Sequence, residues 1–321
     1  FDTLIIGGGI HGATAFHELA KAGYRVALIE KGDFGEATSA SSLKILHGGL
    51  RYLQHLNFSR MRESIRSRWH FMEMAPDLIQ PMPCLMPTYG FGMQSKPVMR
   101  FAIALFDLIG WDRNRNSPPK KRAGRGRSLS KTELLTIAPG ANQEGLSGAA
   151  LWYDDIILNT ERMTLSFVKE GCDRYHGIAA NYLKADEIIR DGSHTCGVRV
   201  TDELSQESFV LKADKVVNAA GPWAGTISSP CQDVSKPEDL AKAVNIIVNR
   251  PLFKGYGIGM AGTGDYQDKD AVIKRGNRLF FFAPWKNQTI IGTTYRYYRD
   301  DNDKLRAENP DIDELLDEIN N

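Results

Sequence analysis

Cysteine is scarce in this chain and carries no pattern. Cys84, Cys172, Cys196 and Cys231 are scattered and make no C-x-x-C pair. That spacing weighs against a zinc site or a disulfide framework, and free thiols in a reducing compartment fit better. No metal site is expected. No apolar run is long enough to span a bilayer. Net charge is almost absent too: 40 Lys and Arg oppose 39 Asp and Glu, a formal +1. Such a balance gives no field that argues for nucleic acid as a partner. An initiator Met and a signal peptide are lacking. The chain opens at Phe1 in an apolar run and stops at Asn321 inside a helical pattern, so both ends read as cut. Internal repeats and low-complexity tracts are missing as well.

What is present fills 321 residues, 42% of them hydrophobic, enough for two domains of ordinary size. Residues 2–6 form a short apolar run that reads as a buried parallel strand. Gly7 to Gly12 follow. A helix then places Ile10, Ala13, Phe16 and Ala20 on one face until Gly23 stops it, and Arg25 to Glu30 reads as a second strand. This is a βαβ unit. Residues 32–49 are too rich in glycine and serine for a core element. Helical spacing returns from Asn57 to Pro76, from Val98 to Ile109 and from Thr160 to Cys172. The segment 113–127 carries seven Lys or Arg and no acid, and reads as a loop. Strands are expected at 149–153, 197–200, 209–211 and 215–219, with a strand-rich stretch from Val244 to Thr294. Asn309 is the expected cap of a last helix, with Pro310 at its first position. Alternating elements followed by a run of strands imply two parts.

Gly7-Gly8-Gly9-Ile10-His11-Gly12 is a G-x-G-x-x-G between strand and helix, with Glu30 closing the second strand. Gly7 permits the tight turn, Gly9 lets amides approach a pyrophosphate, and Gly12 lets helix and strand touch. The start of the helix, through Ile10 and His11, then offers unpaired N–H groups to the phosphates. Glu30 suits ribose hydroxyls and argues against a 2′-phosphate, hence against NADP. Lys31 follows it directly. The motif alone does not choose FAD over NAD.

Residues 37–54 read ATSASSLKILHGGLRYLQ. This resembles the FAD-dependent glycerol-3-phosphate dehydrogenase family, in which a TSS-rich stretch runs into K-x-x-HGGLRYL. Three later segments resemble it in the same order: Trp152 to Asp155, Val217 to Trp223, and Pro284-Trp285 with Ile290 to Thr294. HGGLRYL is specific to that family, whereas NAAGPW is shared with flavin amine and amino-acid oxidases. The resemblance implies an α/β protein with a glutathione-reductase-like FAD fold. Its Rossmann-type FAD-binding domain is assembled from segments 1–80 and 145–225. An antiparallel-sheet substrate or cap domain takes 81–144 and 226–305, and 306–321 begin a truncated C-terminal helix.

With FAD as cofactor, Thr38, Ser39 and Ser42 are short donors near the pyrophosphate and ribityl chain, or else a solvated loop. Gly48 and Gly49 clear space for a flat ring. Beside them His47 is either a flavin-side residue or a core histidine. Ala220 and Gly221 end a strand in small residues, and Trp223 is a cofactor neighbour or a core residue. The resemblance also puts Ala185 beside the adenine. It assigns the substrate end to Arg51 and Tyr52, with Arg51 binding an anionic group or serving as a structural ion-pair partner.

Two departures stand out. Asn245 occupies the place of a family histidine in K-G-S-H, and asparagine hydrogen-bonds but is no base near neutral pH. The family's D-D-x-R becomes Asp154-Asp155-Ile156-Ile157, without the arginine. The family's later G-x-R-P and GGKLTTYR segments fall beyond Asn321. The implied reaction is hydride transfer from glycerol 3-phosphate, or a similar anionic alcohol or amine, to flavin and onward to a quinone or other acceptor. An FAD-dependent amine, amino-acid or hydroxy-acid oxidase is the alternative, and an FAD-free binding relative a third. Cytoplasmic placement is expected, with the basic loop as an optional peripheral contact to anionic lipid.

Overall fold

The computed structural model describes residues 1–92, 94–115, 117–227, 240–265 and 277–320. The side chains of Arg51, Gln54, Ala261, residues 263–265, Asn277 and Arg278 lie outside that description. In chain order the elements begin with β1 (Thr3–Ile6), α1 (Ile10–Lys21), β2 (Val26–Ile29), β3 (Ile45–Leu46), α2 (Phe58–Met74) and β4 (Ile79–Tyr89). Next come α3 (Lys96–Ile109), β5 (Arg127–Ser130), α4 (Lys131–Ile137), β6 (Leu146–Ile157) and α5 (Thr160–Asp173). Then follow β7 (Ile178–Ala180), β8 (Leu183–Asp191), β9 (His194–Asp202), β10 (Ser208–Lys212) and β11 (Val216–Asn218). The last are β12 (Leu240–Val248), β13 (Gly257–Asp265), β14 (Asn277–Trp285), β15 (Gln288–Tyr298) and α6 (Asn309–Asn320). Among the described residues no helix is long and apolar enough to cross a membrane.

The chain divides into two units. The first holds Phe1–Ser42, Asn159–Lys242 and Tyr297–Leu305. Its parallel sheet runs β11-β1-β2-β7. Every residue of β1 (TLII) and β2 (VALI) is buried, as a strand covered on both faces requires. Leu4, Ile6, Ala27 and Ile29 turn one way, into a core with Val198 and Val200 of the antiparallel sheet β10-β9-β8. Helix α1 packs against α5, where Phe16 fills the space left by Gly171. The Asn159 side chain caps α5 by accepting the Arg162 N–H at 2.7 Å.

The second unit holds Leu43–Leu158, Ala243–Arg296 and Arg306–Asn321. Its large sheet runs β12-β15-β14-β13-β4-β6-β3, with β5 beside β6. The sheet is mixed: β13 joins β4 in parallel, while β14 with β15 and β4 with β6 are antiparallel. Pro81, Pro83 and Pro87 withhold their amides on one side of β4 only. Accordingly β6 pairs along all of β4, and β13 joins it only at Gly257 and Ile258. The core under this sheet gathers Met61, Met82, Phe106, Trp152, Phe281 and Ile290.

Two local expectations change. Glu308, not Asn309, opens α6: its carbonyl takes the Ile312 N–H, and its own N–H donates to the Asp311 carboxylate at 2.9 Å. An acid three residues into the helix reaches back, which Asn309 cannot do from inside it. The basic loop is also less free than its composition suggests. Arg113 is buried, donating to Asp107 and to the Gly124 carbonyl, and Lys121 donates to the Ile79 carbonyl.

Candidate functional site: a glycine cradle and the His47 turn

In the first unit the chain leaves β1 through Gly7, whose φ of +103° no L side chain adopts comfortably. The turn is pressed against the end of β11. A Cβ on Gly7 would lie 2.5 Å from the Ala219 carbonyl oxygen and 2.8 Å from the Ala220 Cα. A Cβ on Gly12 would overlap the Gly7 oxygen. The two glycines therefore let β1, α1 and β11 meet at backbone distance.

Glu30 braces this turn from the end of β2. Its two carboxylate oxygens accept the Gly8 N–H at 2.6 Å and the Gly32 N–H at 2.9 Å. Each oxygen keeps a further lone pair for a ribose hydroxyl. Ser39 Oγ accepts the Ile10 N–H at 3.0 Å. Its own O–H remains a donor. The amides of Ile10, His11 and Gly12 have no carbonyl one turn back, as at any helix start. His11, Thr38 and Ser42 are exposed around this cradle. Open amides, small hydroxyls and a carboxylate at the strand end together fit the phosphates and ribose of a dinucleotide.

Lys31 and Trp223 meet in the same unit. The Lys31 ammonium lies 4.1 Å from the Trp223 ring centre. Asp303 accepts from Lys31 Nζ at 2.6 Å and from Trp223 Nε1 at 2.9 Å. The Lys31 ammonium holds the Asp303 carboxyl below its ordinary range. Trp223 is half-buried in this cluster, not a core residue. Ala220 and Ala185 sit at the edge of the core, and Gly221 turns with φ +56°. Asp303 was invisible in the sequence, 272 residues from its lysine.

The remaining predicted site residues belong to the second unit. After β3 the chain turns through His47, Gly48 and Gly49 into a 3₁₀ turn, Leu50–His55. Asp154 of β6 holds this turn. Its Oδ1 accepts the Gly48 N–H at 2.7 Å, and its Oδ2 lies 3.3 Å from His47 Nδ1. His47 is exposed, so it is not a core histidine. Tyr52 packs along the main core of the unit, and the Arg51 side chain lies outside the described residues. Asn245, midway along β12, accepts the Thr293 hydroxyl at 2.7 Å, leaving its amide NH₂ as a donor.

The next acid, Asp155, has no exposure and pairs through both oxygens with Arg68 of α2. Burial pushes the Asp155 carboxyl up, and the Arg68 guanidinium pulls it back. Ile157 is buried, and its N–H donates to the carbonyl of Lys44 in the chain entering β3. Burial likewise pushes the Cys84 thiol up, away from nucleophilic use. A cavity of about 440 Å³ in this unit, lined by Met86, Tyr89, Met260 and Phe280 among others, contains none of the predicted site residues.

A family model described as DAO, FAD dependent oxidoreductase, matches residues 2–321. The aerobic glycerol-3-phosphate dehydrogenase of Staphylococcus aureus is 30% identical over the whole chain, which spans 54% of that relative. Among solved structures, the Bacillus halodurans glycerol-3-phosphate dehydrogenase complexed with FAD superposes with a TM-score of 0.69 at 25% identity, covering 99% of this chain and 52% of that one. The FAD-bound L-alpha-glycerophosphate oxidase of Mycoplasma pneumoniae shares the fold, with a TM-score of 0.60 at 16% identity over 93% of this chain and 72% of that one. The chain thus spans about half the length of the curated relative and of the Bacillus enzyme.

Proposed function

The chain belongs to the DAO family of FAD dependent oxidoreductases, and from that premise we propose that it serves an enzyme oxidising glycerol 3-phosphate or a closely similar anionic alcohol. The observation that carries the cofactor half is the glycine cradle at the start of α1, closed by backbone contacts and braced by Glu30. Gly9, His11 and Gly12 offer backbone amides to the pyrophosphate, Gly7 and Ile10 shape the turn with their own N–H groups on the Ile29 carbonyl and Ser39 Oγ, and Glu30 holds a ribose. Lys31, Ser39, Ala185, Ala220, Gly221 and Trp223 complete the contacts of the first unit. When bound, FAD supplies the two-electron acceptor for hydride leaving a substrate carbon.

Support for the substrate comes from HGGLRYL and from the similarity to glycerol-3-phosphate dehydrogenases along the whole chain. Arg51 pairs with the phosphate, a role in which a guanidinium outperforms an ammonium by its two parallel donors. Tyr52 orients the alcohol. Asn245 donates its free NH₂ to a substrate oxygen and does not take the proton. That last point keeps an amine or hydroxy-acid oxidase as a second reading, marked by peroxide release in air.

A quinone is the acceptor this reading favours, reached by peripheral contact with a membrane. The support is one face of α3 and its surroundings. Pro97, Phe101, Ala104, Leu108 and Trp111 are all exposed, at helical spacing of four and three. From Gln94 to Arg127 nine Lys or Arg face two acids, Asp107 and Asp112, and each acid is already paired with an arginine. An apolar stripe among cations suits an anionic bilayer surface.

The test is the absorbance spectrum of the purified full-length protein before and after anaerobic glycerol 3-phosphate. A yellow protein that bleaches is the expected result. An unchanged flavin spectrum removes the substrate, and a colourless protein that takes up no FAD removes the cofactor.

A further inference from the structure

Asp154 is a buried carboxylate, 4% exposed, aimed at a turn in which it touches two consecutive residues. Neither contact is incidental to packing. Residues 45 and 46 pair with 156 and 155 in an antiparallel ladder, and there β3 ends. Asp154 lies one step beyond, and its Oδ1 takes the Gly48 N–H that leaves the ladder. The approach is close: a Cβ on Gly48 would come within 3.1 Å of that oxygen and 3.0 Å of the Phe106 ring. The turn is thereby pinned from the backbone.

The other oxygen, Oδ2, meets His47 Nδ1 at 3.3 Å. An ionised carboxylate only accepts hydrogen bonds. A neutral imidazole carries one proton, and the partner of one nitrogen decides the role of the other. With a carboxylate at Nδ1, the proton belongs on Nδ1, and Nε2 keeps its lone pair. The His47 side chain is 62% exposed.

We propose that Asp154 is a positioning residue: it fixes neutral His47 as the Nδ1–H tautomer, so that the exposed Nε2 presents a hydrogen-bond acceptor to a hydroxyl or amine N–H brought to the turn. The tautomer follows from this unit's geometry alone. Its use on a substrate rests on the function proposed above. The arrangement supplies an acceptor of the kind that Asn245 already spends on Thr293.

The experiment is ¹⁵N NMR of the FAD-loaded protein with labelled histidine, at a pH of about 9, above the ordinary imidazole range. The seven histidines are resolved by comparison with His47→Gln. The expected wild-type signature is a protonated Nδ1 and a bare Nε2. In Asp154→Asn the Oδ1 still accepts from Gly48 while an amide NH₂ faces the ring, so the proton shifts to Nε2. An Nε2–H signature in the wild type overturns the proposal, as does an Asp154→Asn spectrum with His47 unchanged. Should that variant fail to fold, the wild-type spectrum still decides. Failure of glycerol 3-phosphate to bleach the flavin, with His47 reading Nδ1–H, would sink the substrate and leave the positioning role.

Discussion

Replacing Gly7 by Ala tests the cradle most directly. The new Cβ would face three backbone atoms, Ala219 O at 2.5 Å, Ala219 C at 2.7 Å and Ala220 Cα at 2.8 Å. Ordinary Cβ contact starts near 3.4 Å, so the end of β11 and the start of α1 must part by 0.9 Å, the step from 2.5 to 3.4. No flexible side chain is there to give way. Alanine must also hold a φ of +103° or abandon the turn. Overpacking of this kind costs about 1–3 kcal/mol, and the strained dihedral about the same again. An amide displaced by nearly 1 Å from a typical distance of ~2.9 Å no longer makes a useful hydrogen bond. Losing one or two bonds to a charged phosphate, at roughly 1.5–3 kcal/mol each, lowers FAD affinity by about 10- to 20,000-fold. FAD fluorescence quenching on titration into apoprotein gives the Kd, and far-UV circular dichroism confirms that the variant is folded. Gly140→Ala, with no atom within 4 Å of its Cβ, is the matched control. A folded Gly7→Ala protein that binds FAD within ~3-fold of wild type would refute the cradle as the phosphate site.

Other consequences follow from the second unit. Arg68→Met strands the Asp155 carboxylate without a cation and is expected to cost about 3–5 kcal/mol in urea unfolding at pH 8. Loss of Arg68 raises that carboxyl still further above its unfolded value, so the folded state holds the proton more tightly. The penalty then grows as pH rises from the wild-type folded value toward the variant's higher one, and shrinks on acidification from pH 8. Equal penalties before and after acidification would contradict the assignment. For the α3 face, Phe101→Ser with Trp111→Ser is expected to lower sedimentation with phosphatidylglycerol vesicles by about 10-fold or more, from lost apolar burial. Binding to pure phosphatidylcholine should be weak for both proteins. Unaltered vesicle binding by the double variant would move the contact elsewhere.

Local chemistry was legible because its causes are local. Four consecutive apolar residues, a glycine where φ must be positive, a helix face recurring every three or four residues and an acid at the next strand end all lie within residues 3–30. Steric and hydrogen-bond rules act over that range whatever the remainder of the chain does. The caps show the limit, since Asn309 and Glu308 are both plausible by composition, and only the reach of Asp311 chose between them.

The amino-acid sequence by itself determined the βαβ start, the glycine cradle, the acid beside it and the likeness of the HGGLRYL turn to a family. Tertiary structure alone decided that Ala219 closes the cradle, that Ser39 accepts from the Ile10 amide, and that Asp303 joins Lys31 to Trp223. It also divided adjacent Asp154 and Asp155 between the His47 turn and Arg68. These partners stand 80 to 272 residues apart, apart from Ser39 and its neighbour Ile10 at 29. Successive side chains on a strand point to opposite faces, so two neighbouring acids meet different surroundings, and which surroundings those are depends on how distant segments pack.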